Sequence, residues 1–371
     1  MLIKRTRFLK YFDWTSFGLM ILLLAFGLTF VFSSTYSANI PFSPFFKKQL
    51  FGVVTGLIIY ALACSFNQNN LALLCFIGYF GALSLLVYTL AIGKIIGGGQ
   101  RWISLGFIRF QPSELAKLLF PISFGYFLEV QSQTSRVLTY GQSYKHLIMP
   151  SIMLFSGFFL ILKQPDLGTA LVLLSVGLAL FWISGVPTKF FIFSSLILCL
   201  CAPFLWKNLH QYQQRRVLVM LGYGEANKDR YQVEQAKIAV GSGKFFGNGF
   251  LKGTQNKLSF LPEDHNDFIF AVICEELGLF GVALLFLIFW VFSVRLLILA
   301  SSLENLREQI IVTGLTLNII ISFIVNTGMV VGLLPVVGIP LPLFSYGVTN
   351  LWTTLFGLGV INGIFIRRYY Q

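Results

Sequence analysis

The stretch WTSFGLMILLLAFGLTFVFS, residues 14–33, decides what kind of molecule this is, because it carries no charge from end to end. About 20 apolar residues at a helical rise of about 1.5 Å cover a hydrocarbon core of about 30 Å. Lys4, Arg5, Arg7 and Lys10 precede it, as basic residues precede the apolar part of a secretory leader. The run is too long for such a leader, and no convincing small-x-small cleavage site follows it. It reads as an uncleaved first membrane span.

Nine further apolar runs follow, at roughly 50–66, 71–92, 113–130, 146–162, 166–185, 189–206, 268–294, 309–330 and 345–366. The expectation is an all-α polytopic membrane protein with ten transmembrane helices. It is one membrane domain over residues 1–371, with one large extracytoplasmic loop at 207–266. Composition agrees: of 371 residues 56% are hydrophobic and 11% charged, against about 25% charged in a soluble domain. A cytosolic enzyme, a secreted domain and a disordered tail are all excluded.

Basic residues in the short connections set the orientation. With the N-terminus inside, the inner segments hold eleven Lys and Arg and the outer ones six (Lys47, Lys48, Lys94, Arg101, Arg109 and Lys163). Both termini are therefore expected in the cytoplasm and the 207–266 loop outside. The net charge of +13 fits that topology and attraction to anionic headgroups. No basic stripe interleaved with stacking aromatics is present, so no nucleic-acid partner is expected. Cys64, Cys75, Cys199, Cys201 and Cys274 all fall in apolar runs and read as small core hydrophobes.

Charges in or beside spans are expensive, because hydrocarbon does not solvate them, and they mark function. Glu114 and Lys117, three residues apart, share a helix face and can pair. Asp166 opens a span, where a carboxylate caps the first turn. Of the adjacent Glu275 and Glu276, at least one should face the interior. Glu263, Asp264, His265 and Asp267 crowd the point where the large loop meets a span. Such a cluster could hold a metal, act as acid or base, or simply end a solvated loop. GGGQRW at 97–102 reads as a flexible loop offering Arg101 to a phosphate and Trp102 to a sugar face. GSGKFFGNG at 241–249 contains Gly-Ser-Gly-Lys but is no phosphate-binding P-loop. It lacks the earlier glycine, and Phe245 stands where Ser or Thr is needed.

GQRWISLGFIRFQPSELAKL (99–118), KQPDLGTAL (163–171), IAVGSGKFFGNGFLKGTQNKLSFLPEDHNDFIFAVICEELGLFG (238–281) and NTGMVVGLLPVVGIPLPLFSYG (326–347) resemble the SEDS family. These are the shape, elongation, division and sporulation proteins. The motifs stand in the family's order, cover essentially the whole chain, and look closer to its elongation branch than to its division branch. The resemblance implies a peptidoglycan glycosyltransferase at the outer face of the bacterial cytoplasmic membrane, for cell elongation and rod shape. It would polymerise lipid II beside a class B penicillin-binding protein transpeptidase and other elongation-complex proteins. It also implies that Asp267 is the family's essential aspartate and that Arg101, Trp102, Glu114, Lys117, Asp166 and Glu263 occupy its other functional positions. Three departures stand out: Asn266 where the family commonly has Thr, Ala236 where it has Ser, and Val348 where it has a second Gly. The last removes backbone freedom before the final span.

The reaction joins a sugar 4-hydroxyl to an anomeric carbon and expels a polyprenyl diphosphate. Asp267 would serve as base, with Arg101 and Lys117 meeting the diphosphate. No cofactor is fixed by these residues, and a divalent cation such as Mg²⁺ stays open. Competing readings are a flippase for the lipid-linked precursor and a non-catalytic scaffold. The first wants its site near the midplane, and the second has no need of intramembrane charges.

Overall fold

The computed structural model describes residues 10–37, 41–96, 99–105, 108–134, 147–208, 211–220, 222–223, 228–254 and 265–368. In chain order the elements are α1 (Trp14–Thr35), α2 (Pro44–Ser65), α3 (Gln68–Ile92), β1 (Lys94–Ile96), β2 (Gly99–Leu105) and β3 (Ile108–Phe110). After them come α4 (Pro112–Thr134), α5 (Ile148–Lys163), α6 (Leu167–Ile183), α7 (Thr188–Asn208), α8 (Gln211–Met220) and α9 (Lys228–Ser242). The chain ends with α10 (Ile269–Ser301), α11 (Leu306–Val331) and α12 (Val348–Arg367).

Each of the apolar runs read from the sequence forms a helix. Among the described residues, six are long and apolar enough to cross a membrane: α1, α2, α3, α10, α11 and α12. The helices α5 and α6, with 16 and 17 residues, are shorter. Buried Glu114 and Lys117 lower the apolar character of α4.

Two expectations need correction. The molecule is not purely helical: β1, β2 and β3 form a three-stranded antiparallel sheet. What read as a flexible glycine loop pairs Lys94 with Trp102 and Ile103 with Phe110. Trp102, Ile103, Ile108 and Phe110 are residues that favour a pleated, half-buried surface, and they outweigh the glycines. The 207–266 stretch, read as one large loop with a mildly amphipathic part near Tyr231–Val240, contributes the two helices α8 and α9, of which α9 covers that part and packs on α10 and α11.

Lipid tails are as apolar as leucine, so helices in a bilayer associate by close packing rather than by leaving water. α2 and α12 form the most extensive helix pair, and glycine makes it possible: a methyl group at Gly359 would sit 2.5 Å from the Tyr60 carbonyl oxygen. α11 lies at the centre and buries Asn318, Ser322 and Asn326 along one face. By contrast, α7 turns Phe190, Ile192, Phe193, Leu196, Leu200 and Phe204 outward. Cys199 and Cys201 share that exposure, whereas Cys64, Cys75 and Cys274 are buried as expected.

Candidate active site

The N-terminal ends of α4, α6, α10 and α12 face one end of the bundle, and the candidate residues gather there. Asp166 is the N-cap of α6, the position expected for it, and its Oδ1 accepts from the Thr169 amide at 3.4 Å. Its other oxygen accepts from Gln111 Nε2 at 2.8 Å and Ser113 Oγ at 3.0 Å. Arg101, carried by β2, completes the ring with Nη1 3.4 Å from Asp166 Oδ1. One fully buried carboxylate thus ties the sheet, α4 and α6 together. Arg101 is 13% exposed, and its Nε is buried with no hydrogen-bond partner among the described residues, so one donor is left over.

One turn into α4, Lys117 Nζ lies 2.9 and 3.0 Å from the two carboxylate oxygens of Glu114. Asn350 of α12 donates to Glu114 Oε2 at 2.8 Å, and Asn318 of α11 donates to the Lys117 carbonyl at 3.1 Å. The pair therefore locks three helices, and it borders a small cavity of about 30 Å³ that also touches Ser322, Pro342 and Thr353. Each of the two cations assigned to the diphosphate already faces a carboxylate.

Asp267 sits in the turn before α10. The helix takes Phe268 as its N-cap, with no side-chain capping bond. Asp267 is half-buried, and it is held through its backbone: Asn326 Nδ2 donates to its carbonyl at 2.9 Å and to the Ile339 carbonyl at 2.7 Å. Ser345 stitches the same two segments together. Its Oγ donates to the Asn266 carbonyl at 2.6 Å and accepts from the Leu341 amide at 2.7 Å, while the Tyr346 amide reaches the His265 carbonyl at 2.9 Å. The segment between α11 and α12 therefore forms the seat of Asp267. Gly338 within it has φ of 69°, and a methyl group there would stand 3.3 Å from Asp267 Oδ2. Its neighbours Val337 and Ile339 press on Gly168 at the start of α6, which joins this seat to the Asp166 ring.

Several groups escaped the sequence reading. Asn326, Ser345 and Asn350 look like ordinary polar residues of apolar runs, and only their partners reveal their work. Arg109 is exposed on β3 and its charge acts on Tyr346, whose hydroxyl is pushed above the ordinary tyrosine value by burial and pulled back by Arg109. Val348, where the family commonly has Gly, is the first residue of α12, so the freedom of a glycine is not needed there. Both Glu275 and Glu276 are buried. Glu263 and Asp264 lie outside the described residues.

A bundle of apolar helices with buried charge pairs at its helix N-termini and a half-buried carboxylate at the rim defines a multi-pass membrane protein with a polar centre at one face. Comparison with known proteins gives the particular kind. The model of the FtsW/RodA/SpoVE cell cycle proteins matches residues 13–370, and the chain belongs to that family. The peptidoglycan glycosyltransferase MrdB of Escherichia coli strain K12 is 37% identical over 292 residues, 78% of this chain and 77% of that one. The MrdB of Helicobacter pylori strain 26695 is 31% identical over 98% of this chain and 92% of its own. The crystal structure of the Thermus thermophilus rod shape determining protein RodA superposes with a TM-score of 0.71 at 26% identity, over 96% of this chain and 98% of that one. A chain from a peptidoglycan synthase complex, solved to explain how polymerisation and crosslinking are coordinated, gives 0.80 at 28% identity over 97% and 99%. The enzymatic class of this chain is that of its named relatives, peptidoglycan glycosyl transfer.

Proposed function

We propose that the chain polymerises lipid II into glycan strands at the outer face of the cytoplasmic membrane during cell elongation, with Asp267 as the general base. The observation that carries this reading is the seat of Asp267. Its backbone is clamped by Asn326, and its carboxylate Oδ2 stands over Gly338 at the rim. Acceptor 4-hydroxyl oxygen bonds to the donor's anomeric carbon, the bond from that carbon to the diphosphate oxygen breaks, and the hydroxyl proton passes to Asp267. A hydroxyl is a weak nucleophile, and a positioned base supplies about 10²–10⁴ in rate.

Arg101, through its spare Nε, and Lys117 are the cations for the departing diphosphate. Trp102 on β2 is the surface for a sugar, and Glu114 and Asp166 hold the two cations in place. Glu263 belongs to the same loop end. Mg²⁺ at phosphate sites uses one or two carboxylates together with substrate oxygens, and Asp267 is of that kind. When bound, such an ion would neutralise charge on the leaving diphosphate. Among the described residues no three His, Cys, Asp or Glu are grouped to hold one, and no step is assigned to it.

The reading includes ten spans, both termini in the cytoplasm, a single domain over 1–371 with residues 207–266 outside, and work beside a class B penicillin-binding protein and the elongation complex. Support comes from the helix on every apolar run, the basic bias, and the named complex among the structural relatives. The test is polymerisation of labelled lipid II by the purified chain, alone and with a candidate transpeptidase, against the Asp267→Asn variant. The variant should insert at normal abundance and lose a hundredfold or more, at about the scale of a lost general base. Near-normal chain growth by Asp267→Asn would remove Asp267 from the mechanism. Movement of lipid II across vesicles without glycan products would favour the flippase instead.

A further inference from the structure

α10 is not a continuous helix. Gly278 has φ 66° and ψ −171°, which divides it into a half-helix at 269–277, headed by Asp267, and a longer outgoing helix. Such a break costs two backbone bonds in the helical pattern, from the amides of Leu279 and Phe280 to the carbonyls of Glu275 and Glu276. Unsatisfied backbone groups at membrane depth are expensive, so something must replace those bonds.

The glycine-rich segment that superficially resembled a P-loop replaces them one for one. The Leu279 amide donates to the Lys244 carbonyl at 2.9 Å, and the Phe280 amide to the Phe245 carbonyl at 3.0 Å. In return, the amides of Asn248 and Gly249 donate to the carbonyls of Glu275 and Glu276 at 2.9 and 3.0 Å. Only glycine permits this approach. A methyl group at Gly243 would lie 2.0 Å from the Cys274 carbonyl oxygen, and one at Gly247, whose φ is 76°, would lie 2.1 Å from that of Glu276. The tip of the segment turns Phe245, Phe246 and Phe250 outward, as a loop dipping into lipid would.

The two buried glutamates fasten the lower end of the half-helix sideways. Thr254 gives its amide and hydroxyl to Glu275 Oε1 at 2.6 and 2.9 Å, and Ser33 of α1 donates to Glu276 Oε1. We propose that segment 243–249, with Glu275 and Glu276, is a positioning device for Asp267: it splints the broken backbone of α10 and fixes the direction in which the half-helix presents the carboxylate to its substrate. This inference rests on Asp267 being the catalytic carboxylate. Displacement of a reacting group by about 1 Å costs about a hundredfold in rate, so small tilts of the half-helix should be felt in the chemistry.

The experiment pairs lipid II polymerisation with backbone hydrogen exchange on the purified full chain. Gly247→Ala should raise exchange at 244–249 and 275–280. It should lower kcat about ten- to a hundredfold with KM changed by less than about twofold, because the group that reacts is displaced while the binding surface is kept. Gly18→Ala, where a methyl group meets nothing within 4 Å, is the control and should change neither readout. If Gly247→Ala does not accumulate, Ser33→Ala releases Glu276 from α1 without touching the loop and should still lower kcat severalfold at constant KM. Raised exchange with unchanged kcat, or an unchanged kcat in Ser33→Ala, would overturn the proposal. The Asp267→Asn chain separates the two ideas. Lost activity with wild-type exchange leaves both standing, whereas an active Asp267→Asn chain defeats the assignment of the base, and the positioning proposal that rests on it, even if Gly247→Ala exposes the splint.

Discussion

Asn326 on α11 holds the Asp267 carbonyl at 2.9 Å from a side-chain amide that also bonds Ile339 at 2.7 Å, so one buried nitrogen joins the turn at Asp267 to its seat. Replacing it by Leu orphans two buried carbonyls, at a typical cost of about 1–3 kcal/mol each. Asn326→Leu should therefore reduce both thermal stability and lipid II polymerisation. Asn326→Asp keeps the size but loses the donor and should behave like Leu. Retention of full activity by the Asp variant, measured beside its unfolding temperature, would mean the clamp is dispensable.

Glu114 and Lys117 neutralise one another inside the bundle, at 2.9 Å. Removing one partner of a buried pair typically costs about 3–5 kcal/mol. Glu114→Gln and Lys117→Met should each be strongly destabilising, and the double variant much less so than their sum. Additive losses in a mutant cycle would show that the pair is not coupled.

Asp166 performs two tasks that substitution can separate. Asp166→Asn keeps an oxygen for the Thr169 amide and surrenders the charge that faces Arg101, whereas Asp166→Ala loses both. The Ala variant, which also leaves Gln111 and Ser113 without their acceptor, should fall below the Asn variant in stability by more than the roughly 1 kcal/mol of an N-cap alone. Equal unfolding temperatures would argue that neither the cap nor these side-chain bonds contribute.

Orientation is testable by labelling with an impermeant thiol reagent. Cys199 and Cys201 are exposed on α7, so both must first be replaced by Ala to give a silent background. A cysteine introduced at exposed Lys252 should then react in intact cells, while one at Arg368 should not. The reverse pattern would invert the topology.

Tyr346 keeps its proton further into the alkaline range than an ordinary tyrosine of pKa about 10, because burial raises it. The folded state then binds more protons than the unfolded one above about pH 10, and stability should fall with rising pH there. Tyr346→Phe should flatten that alkaline fall, as followed by thermal unfolding across pH.

The helices were legible because apolar run length is a strong signal: WTSFGLMILLLAFGLTFVFS admits little else. The Glu114–Lys117 spacing and the Asp166 cap were equally local, and both interactions are present. The sheet at 94–110 was hidden because three short strands carry little periodicity, and the glycines of GGGQRW argued for disorder. Asn326 and Ser345 were invisible for a different reason, since their partners lie 59 and 79 residues away. Only the fold brings such residues to the turn at Asp267.

The interruption at Gly278 also bears on how the chain is made. Segment 243–249 precedes α10, so it leaves the ribosome first and must wait outside the helix it later completes. Until it folds back, four amides and four carbonyls have no protein partner, and lipid offers none. Correct insertion of α10 therefore requires that its own preceding loop be delivered to the same face and return. A chain cut between residues 254 and 265, with its halves synthesised separately, should assemble poorly even though every helix is intact.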